Sequence, residues 1–157
     1  MPSVGMVGQN GREMAQAFLR MSKGAASCYH ITQKQQNGPK LNILVASEAS
    51  PVLTELIPRM TSNDYLVVNA DDKAIFPYIN KLGAKLITYG FNNKACITAS
   101  SVTDDSLHVC IQREFTSLDG NQRIPQEFAA PVRPLVLSPE AALGAAAAWV
   151  ICGGALS

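Results

Sequence analysis

The strongest constraint on this chain is a rhythm that breaks. From Val4 to Tyr89, short apolar runs alternate with segments of helical spacing; after Gly90 the apolar runs follow one another with no helix between them. The first run, Val4 to Val7, leads into Gly8-Gln9-Asn10-Gly11 and then a stretch from Arg12 to Met21. There Met14, Ala15, Phe18 and Leu19 recur at helical spacing and predict one buried face. A short strand is expected from Ala26 to Thr32, and the polar segment Gln33 to Lys40, with Gly38-Pro39, reads as a loop. Leu41 to Ala46 is a compact apolar run, as in a parallel strand covered on both faces, Tyr65 to Val68 is another buried strand, and Leu86 to Tyr89 is the strand that follows. Ser50 and Pro51 predict a helix start, with Val52, Leu53, Leu56 and Ile57 as its buried stripe and Pro58 as its limit or kink. Asp72 is the expected cap of a further helix carrying Ile75, Tyr78, Ile79 and Leu82 and ending at Gly83.

Past Gly90, strands are expected over 95–102, 107–115 and 123–129. Leu107, Val109 and Ile111 alternate with polar neighbours, and Asp119-Gly120 marks a hairpin between the last two strands. Ser138-Pro139-Glu140 opens an alanine-rich closing helix. Alternating strands and helices imply a parallel sheet. The expected fold class is therefore α/β: a three-layer sandwich with a mostly parallel, P-loop/Rossmann-like sheet plus a small antiparallel hairpin region. The expected organisation is one domain over 1–157. Residues 1–90 form its parallel part, 91–132 the hairpin part and 138–152 the closing helix. A chain of 157 residues can bury a sufficient core without disulfides or metal.

Composition narrows the function. Apolar residues at 47% exclude a disordered chain. Charged residues are only 16%, net charge is +1 and no two Lys/Arg are adjacent, which argues against nucleic acid or anionic lipid as partner. The polar, weakly charged surface suits a partner-facing patch. Residues 141–152 are nearly all apolar but too short for a membrane span of about 20 residues. Cys28, Cys96, Cys110 and Cys152 form no CxxC pair, and with His30 and His108 they give no zinc spacing. The N-terminus shows no basic region followed by an apolar core, so the expectation is a cytoplasmic protein with reduced thiols.

Gly5, Gly8 and Gly11 surround a strand-to-helix turn, where backbone N–H groups and a helix N-terminus can approach phosphate. A P-loop would follow its last glycine with Lys and then Ser or Thr; here Arg12 and Glu13 stand there. Arg12 keeps the charge without the lysine geometry. Glu13 places a carboxylate near the phosphate and offers no hydroxyl. A dinucleotide fold would need an acidic residue ending its second strand; Cys28-Tyr29-His30 supplies none. A tight turn whose glycines serve packing alone fits the loop equally well.

Taken together, the motifs resemble the central, ATP-binding domain of the Mur ligases, the amino-acid-adding enzymes of peptidoglycan synthesis. Gly5-Met6-Val7-Gly8-Gln9-Asn10-Gly11-Arg12-Glu13 resembles their G-x-x-G-T-[NH]-G-K-T loop. Leu44-Val45-Ala46-Ser47-Glu48-Ala49-Ser50 is similar to their strand ending in Glu and small hydroxyl residues. Tyr65 to Asp72 is similar to their V-x-N-x-D-D stretch, and Leu86 to Phe91 to their strand ending in T-Y-G. The Asp119-Gly120 hairpin and the helix from Ala141 follow in family order. The resemblance implies ATP and magnesium as cofactors. It makes Gly8, Gln9, Asn10, Gly11 and Arg12 the candidate phosphate-binding residues and Glu48 a candidate magnesium ligand; Glu13 is a second candidate for a metal.

The departures are as informative. Only Pro51 to Asp64 joins two strands where the family carries a long segment with a metal-binding His and a carboxylated Lys. Arg133 to Ser138 stands where the family has G-R-H-N-x-x-N, whose asparagines hold adenine, and the expectation is a domain without the family's two outer ligase domains. Phosphoryl transfer depends on metals and cationic clamps, and this chain lacks most of them. The expected function is a degenerate, non-catalytic binding or regulatory module related to peptidoglycan-type ligases, a pseudoenzyme acting through self-association or a separate protein. The alternatives are a residual nucleotide-dependent ligase or hydrolase and a dinucleotide-binding Rossmann-like protein.

Each single residue also has a plain structural account. Glu48 reads as a solvated strand-end carboxylate. Asp71 and Asp72 are adjacent turn residues pointing apart, one of them a cap. His30 and His108 read as strand-edge histidines, Cys110 has no base within evident reach, and Tyr89 and Trp149 read as core.

Overall fold

The computed structural model describes residues 1–32, 38, 40–79 and 83–154. The chain forms β1 (Ser3–Val7), α1 (Gly11–Ser22), β2 (Ser27–Ile31), β3 (Ile43–Ala46), α2 (Leu53–Leu56), β4 (Tyr65–Asn69) and β5 (Lys85–Tyr89). It continues through β6 (Ile97–Val102), β7 (Leu107–Ile111), β8 (Phe115–Thr116), β9 (Gln122–Arg123) and β10 (Gln126–Ala130) to α3 (Pro139–Ile151). One eight-stranded sheet runs β10-β7-β6-β5-β4-β3-β1-β2, and β8 pairs with β9 in a separate ribbon. All pairs from β2 across to β6 are parallel; β6/β7 and β7/β10 are antiparallel. The α/β class with its mostly parallel sheet and small antiparallel part is the architecture expected from the sequence.

The compact apolar runs of β3 and β4 are explained by two covered faces. Along β1, β3 and β4, alternate residues enter opposite cores. Met6, Val45 and Val67 meet α1 and α3 on one face, while Val7, Leu44, Ala46, Leu66 and Val68 meet α2 and its following turn on the other. A strand with apolar side chains on both faces has no exposed side, so it shows no period of two.

α1 buries Met14, Ala15, Ala17, Phe18 and Met21, whereas Leu19, expected on that face, is 41% exposed. The buried stripe takes in Ala17 and Met21 in place of Leu19, and both belong to the core that α1 shares with α3. The helix stops where Lys23 adopts a left-handed conformation and its N–H reaches the Leu19 carbonyl. α3 is buried from Ala141 through Ile151, with no polar stripe, because it lies between the sheet, α1 and the β8–β9 ribbon. Ser138 Oγ accepts the Ala141 N–H, the cap expected from the sequence. A β-carbon on Gly144 would lie 2.6 Å from Met14 Sδ and 3.0 Å from the Tyr89 hydroxyl, so this position lets the helix settle onto both.

Three expectations are corrected. The helix expected from Ser50 is only Leu53–Leu56, followed by a 3-10 turn over Ile57–Arg59. Ser50 and Pro51 form a turn ahead of it, and Pro58 has no N–H with which to propagate an α-helix. The helix expected after Asp72 is a 3-10 segment, Lys73–Ile79, with Pro77 inside it. Leu82, its expected last apolar residue, lies outside the described residues, as does most of the loop expected over 33–40. The long strands expected over 107–115 and 123–129 are each divided. Asp119-Gly120 turns only the short β8–β9 hairpin, while β7 pairs with β10 across it, Leu107 opposite Ala130. Pro125, between β9 and β10, cannot donate to a continuous ladder.

Candidate functional site

The order of the parallel strands sets the site. β1 has β2 on one side and β3 on the other, so the chain reverses direction across the sheet at the β1/β3 boundary. In open α/β sheets, ligands bind at such a reversal, beyond the carboxyl ends of the strands. The glycine loop follows β1 at this point, and Ser47-Glu48 follows β3 beside it. Gly11 N–H bonds the Gly8 carbonyl (3.0 Å) and Met14 N–H the Asn10 carbonyl (2.9 Å), which passes the chain directly from strand to helix.

The chain makes its own contacts across this crevice. Gly8 has φ +116°, and a β-carbon there would lie 2.1 Å from Ser47 Oγ and 3.2 Å from Glu48 Cγ. Glycine is needed for both the conformation and the approach. Ser47 donates through N–H (3.0 Å) and Oγ (3.2 Å) to the Val7 carbonyl, which draws the two strand ends together. The Gln9 N–H then donates to Glu48 Oε1 at 2.8 Å. Thus Glu48, a candidate magnesium ligand, is held on a backbone donor of the glycine loop.

The next two loops are tied in sequence. Asn69 Nδ2 donates to the Ser47 carbonyl (3.2 Å). Asp72 accepts the Ala49 N–H through Oδ2 (2.9 Å) and the Ala74 N–H through Oδ1 (3.1 Å), acting both as the expected cap and as a link to the loop after β3. Asp71 points the other way and accepts from Phe91 N–H (2.7 Å) and Asn92 Nδ2 (2.7 Å) after β5. The two carboxylates diverge, as the turn implied, and together with Glu48 they lock four strand ends into one rim.

Arg12 and Glu13 lie exposed in the first turn of α1, and the Asn10 side chain makes no capping bond. Among the described residues, no group of three or more His, Cys, Asp or Glu side chains could hold a metal ion, so Glu13 and Glu48 stand outside any such cluster. A nucleotide with its metal needs a free phosphate cradle and converging cations or ligands. The residues present do not fit that group: the Gln9 donor is taken by Glu48, and Gly8 is pressed against Ser47.

One neighbour was not evident in the sequence. His30, in register with Met6 across β1/β2, lies against Gly11; a β-carbon on Gly11 would be 2.6 Å from its Cδ2. Only strand register brings it there, and the alternation along β2 was the available signal. His108, on β7, is remote in the sheet order. Tyr89 is buried, and burial, followed by the Asp71 and Glu140 carboxylates, raises its hydroxyl above its ordinary range. Trp149 is also core, against Phe128 with ring centroids 6.3 Å apart. All four cysteines are free thiols. Burial pushes Cys28 up to about 12 against a backbone hydrogen bond at Tyr29, and burial and then the Cys28 thiol push Cys152 up to about 12. Such thiols are poor nucleophiles.

No protein-family model matches the chain, and no curated protein matches it. Solved structures do share its fold. FolC from E. coli, in complex with DHPP and ADP, matches with TM-score 0.53 at 17% identity, over 84% of this chain and 32% of that one. Bifunctional folylpolyglutamate synthase/dihydrofolate synthase from Yersinia pestis matches at TM-score 0.54 and 14% identity, over 88% of this chain and 34% of that one. The same enzyme complexed with AMPPNP and Mn ion matches at 0.51 and 13%, over the same shares. The chain spans about a third of the length of these enzymes. The likeness is one of fold: this chain shares an α/β fold with the matching third of these enzymes. No helix among the described residues is long and apolar enough to cross a membrane.

Proposed function

We propose that this chain is a Mur-ligase-like module, akin to the family's central domain over 1–157, that has lost ligation and acts by binding or regulation. The observation that carries this reading is the 2.8 Å hydrogen bond from Gln9 N–H to Glu48 Oε1. A carboxylate of the same chain takes a donor that a phosphate oxygen would need, and phosphate and carboxylate repel each other in one cradle. Arg12 and Glu13, in place of Lys and a hydroxyl residue, support the same conclusion. The working partner is a second copy of the chain or a separate cytoplasmic protein, in keeping with the low surface charge.

The test is purified protein with ATP and magnesium. No phosphate release above buffer and no rise in melting temperature are expected, for the native chain and for Arg12→Ala alike. Hydrolysis that Arg12→Ala abolishes would overturn the reading. A second reading, residual nucleotide binding, draws on ADP and AMPPNP with Mn in the neighbours and on the exposed Arg12 beside the loop. Gly8 to Gly11 and Arg12 would then contact phosphate, with Glu13 or Glu48 at a metal. It requires a melting-temperature rise that grows with nucleotide concentration by mass action.

A further inference from the structure

The seam between β5 and β6 forms a second, different crevice. β4 and β5 pair along their full length, Tyr65 to Asn69 against Lys85 to Tyr89, but β5 meets β6 only at Tyr89 and Ile97. The chain ahead of Ile97 turns away, and the segment after β7 returns across the gap. Several contacts pin these walls. Cys96 N–H donates to Thr88 Oγ1 (2.9 Å), Cys96 Sγ to the Arg113 carbonyl (3.3 Å), Gln112 Nε2 to the Ala95 carbonyl (2.7 Å) and Tyr65 Oη to the Thr116 carbonyl (2.6 Å). Between β5 and residues 113–116 they leave a cleft of about 440 Å³, within the range of small-ligand sites.

Its lining combines two chemistries. Tyr65, Ile87 and Phe115 are buried and give it an apolar wall. Lys85 and Arg113 bring positive charge, with Lys85 Nζ 4.9 Å from the centroid of the Tyr65 ring. Glu114 also lines the cleft, but its carboxylate accepts from Gln122 Nε2 (2.6 Å). Among the described residues, neither Lys85 nor Arg113 is paired with a carboxylate. Lys85 N–H bonds the Asp64 carbonyl on the β4 side. In a parallel strand, successive residues direct their backbone groups to opposite neighbours. Leu86 therefore directs its N–H and carbonyl toward the gap.

We propose that this cleft binds a small organic anion with a flat apolar body: the body rests against Ile87 and Phe115, and a carboxylate is held by Arg113 and Lys85. Charge-assisted bonds to a guanidinium are the strong kind, and the apolar wall adds burial of the body. The site is distinct from the glycine loop and independent of the reading given for it.

Naphthoate serves as the probe, titrated into the full chain by calorimetry with amide chemical shifts recorded in parallel. Saturable binding is expected, with shifts at Leu86 and Phe115. Naphthylmethanol, the neutral analogue, should bind about ten-fold more weakly or worse, and Arg113→Glu, at an exposed position, should weaken naphthoate by about ten-fold. Phe115→Ala should also weaken it, but Phe115 is buried core and Arg113 is exposed, so Arg113→Glu is the primary variant, with its melting temperature measured alongside. No saturable binding, equal binding of the neutral analogue, or an unchanged affinity in both Arg113→Glu and Lys85→Glu would overturn the proposal. So would shifts confined to Gln9 and Glu48, which would place the anion at the glycine loop.

Discussion

The β1/β3 crevice and the β5/β6 gap are opposite outcomes in one sheet. The first lies where the strand order reverses, the position that α/β folds use for ligands. There Ser47, Glu48, Asn69 and Asp72 draw the strand ends together until backbone donors are satisfied within the chain. The second lies where the alternation of strands and helices ends, and there pairing lapses after a single register position and a lined cleft remains. Topology supplies a crevice; the side chains at its lip decide whether it stays open. A carboxylate held on a backbone N–H occupies a donor that a bound anion would use, and Glu48 does so at Gln9.

The largest test of this contrast is Gly8→Ala. It places a side chain at φ +116° and against Ser47 Oγ, which should cost about 2–4 kcal/mol in urea unfolding. A loss under about 1 kcal/mol would mean that the closed crevice has slack. Next is Asp72→Ala, which leaves the Ala49 and Ala74 N–H groups without their acceptor. About 1–2 kcal/mol should be lost, and amide exchange at Ala49 should quicken while that at Leu86 stays unchanged. Equal quickening at both would show that the two crevices are coupled.

The smallest effect separates the rim carboxylates from one at the other end of the sheet. Asp64, just ahead of β4, is buried and accepts from Thr61 N–H (2.8 Å), Thr61 Oγ1 (3.1 Å) and Lys40 Nζ (3.0 Å). Burial alone would raise its carboxyl, but the Thr61 and Lys40 donors outweigh it and hold it below the usual carboxylate range. A depressed folded value means stability that is complete above the unfolded value and lost as pH falls toward the folded one. The advantage of the native chain over Asp64→Asn should therefore be level above about pH 5 and shrink below about pH 4. An advantage that instead grew on acidification would reverse the sign of this linkage.

Much of the parallel half was legible in the amino-acid order. Leu44, Val45 and Ala46 announce a doubly covered strand because both faces demand apolar side chains, and Ser138-Pro139 announces a cap because its hydroxyl serves its own helix. The helices around Pro58 and Pro77 were less legible, since apolar spacing cannot distinguish an α-helix from a 3-10 turn once a proline removes a donor. The hairpin region was misjudged in its pairing: Asp119-Gly120 specifies a turn, whereas the partner of β7 is chosen by which strand completes the sheet over α3. Of the site, the glycine loop and Glu48 were visible as residue types, but their contact was not, nor was His30 beside Gly11.

By itself the sequence determined the α/β alternation, the strand-to-helix turn at Gly8 to Gly11 and the presence of Arg12 and Glu13 where a phosphate loop has lysine and a hydroxyl, because these depend on local periodicity and on single residue types. Only the tertiary structure decided that Glu48 closes the loop and that β5 and β6 part beyond one register position. The physical reason is distance along the chain: Gln9 and Glu48 are 39 residues apart, and their hydrogen bond exists only because two parallel strands bring their ends side by side.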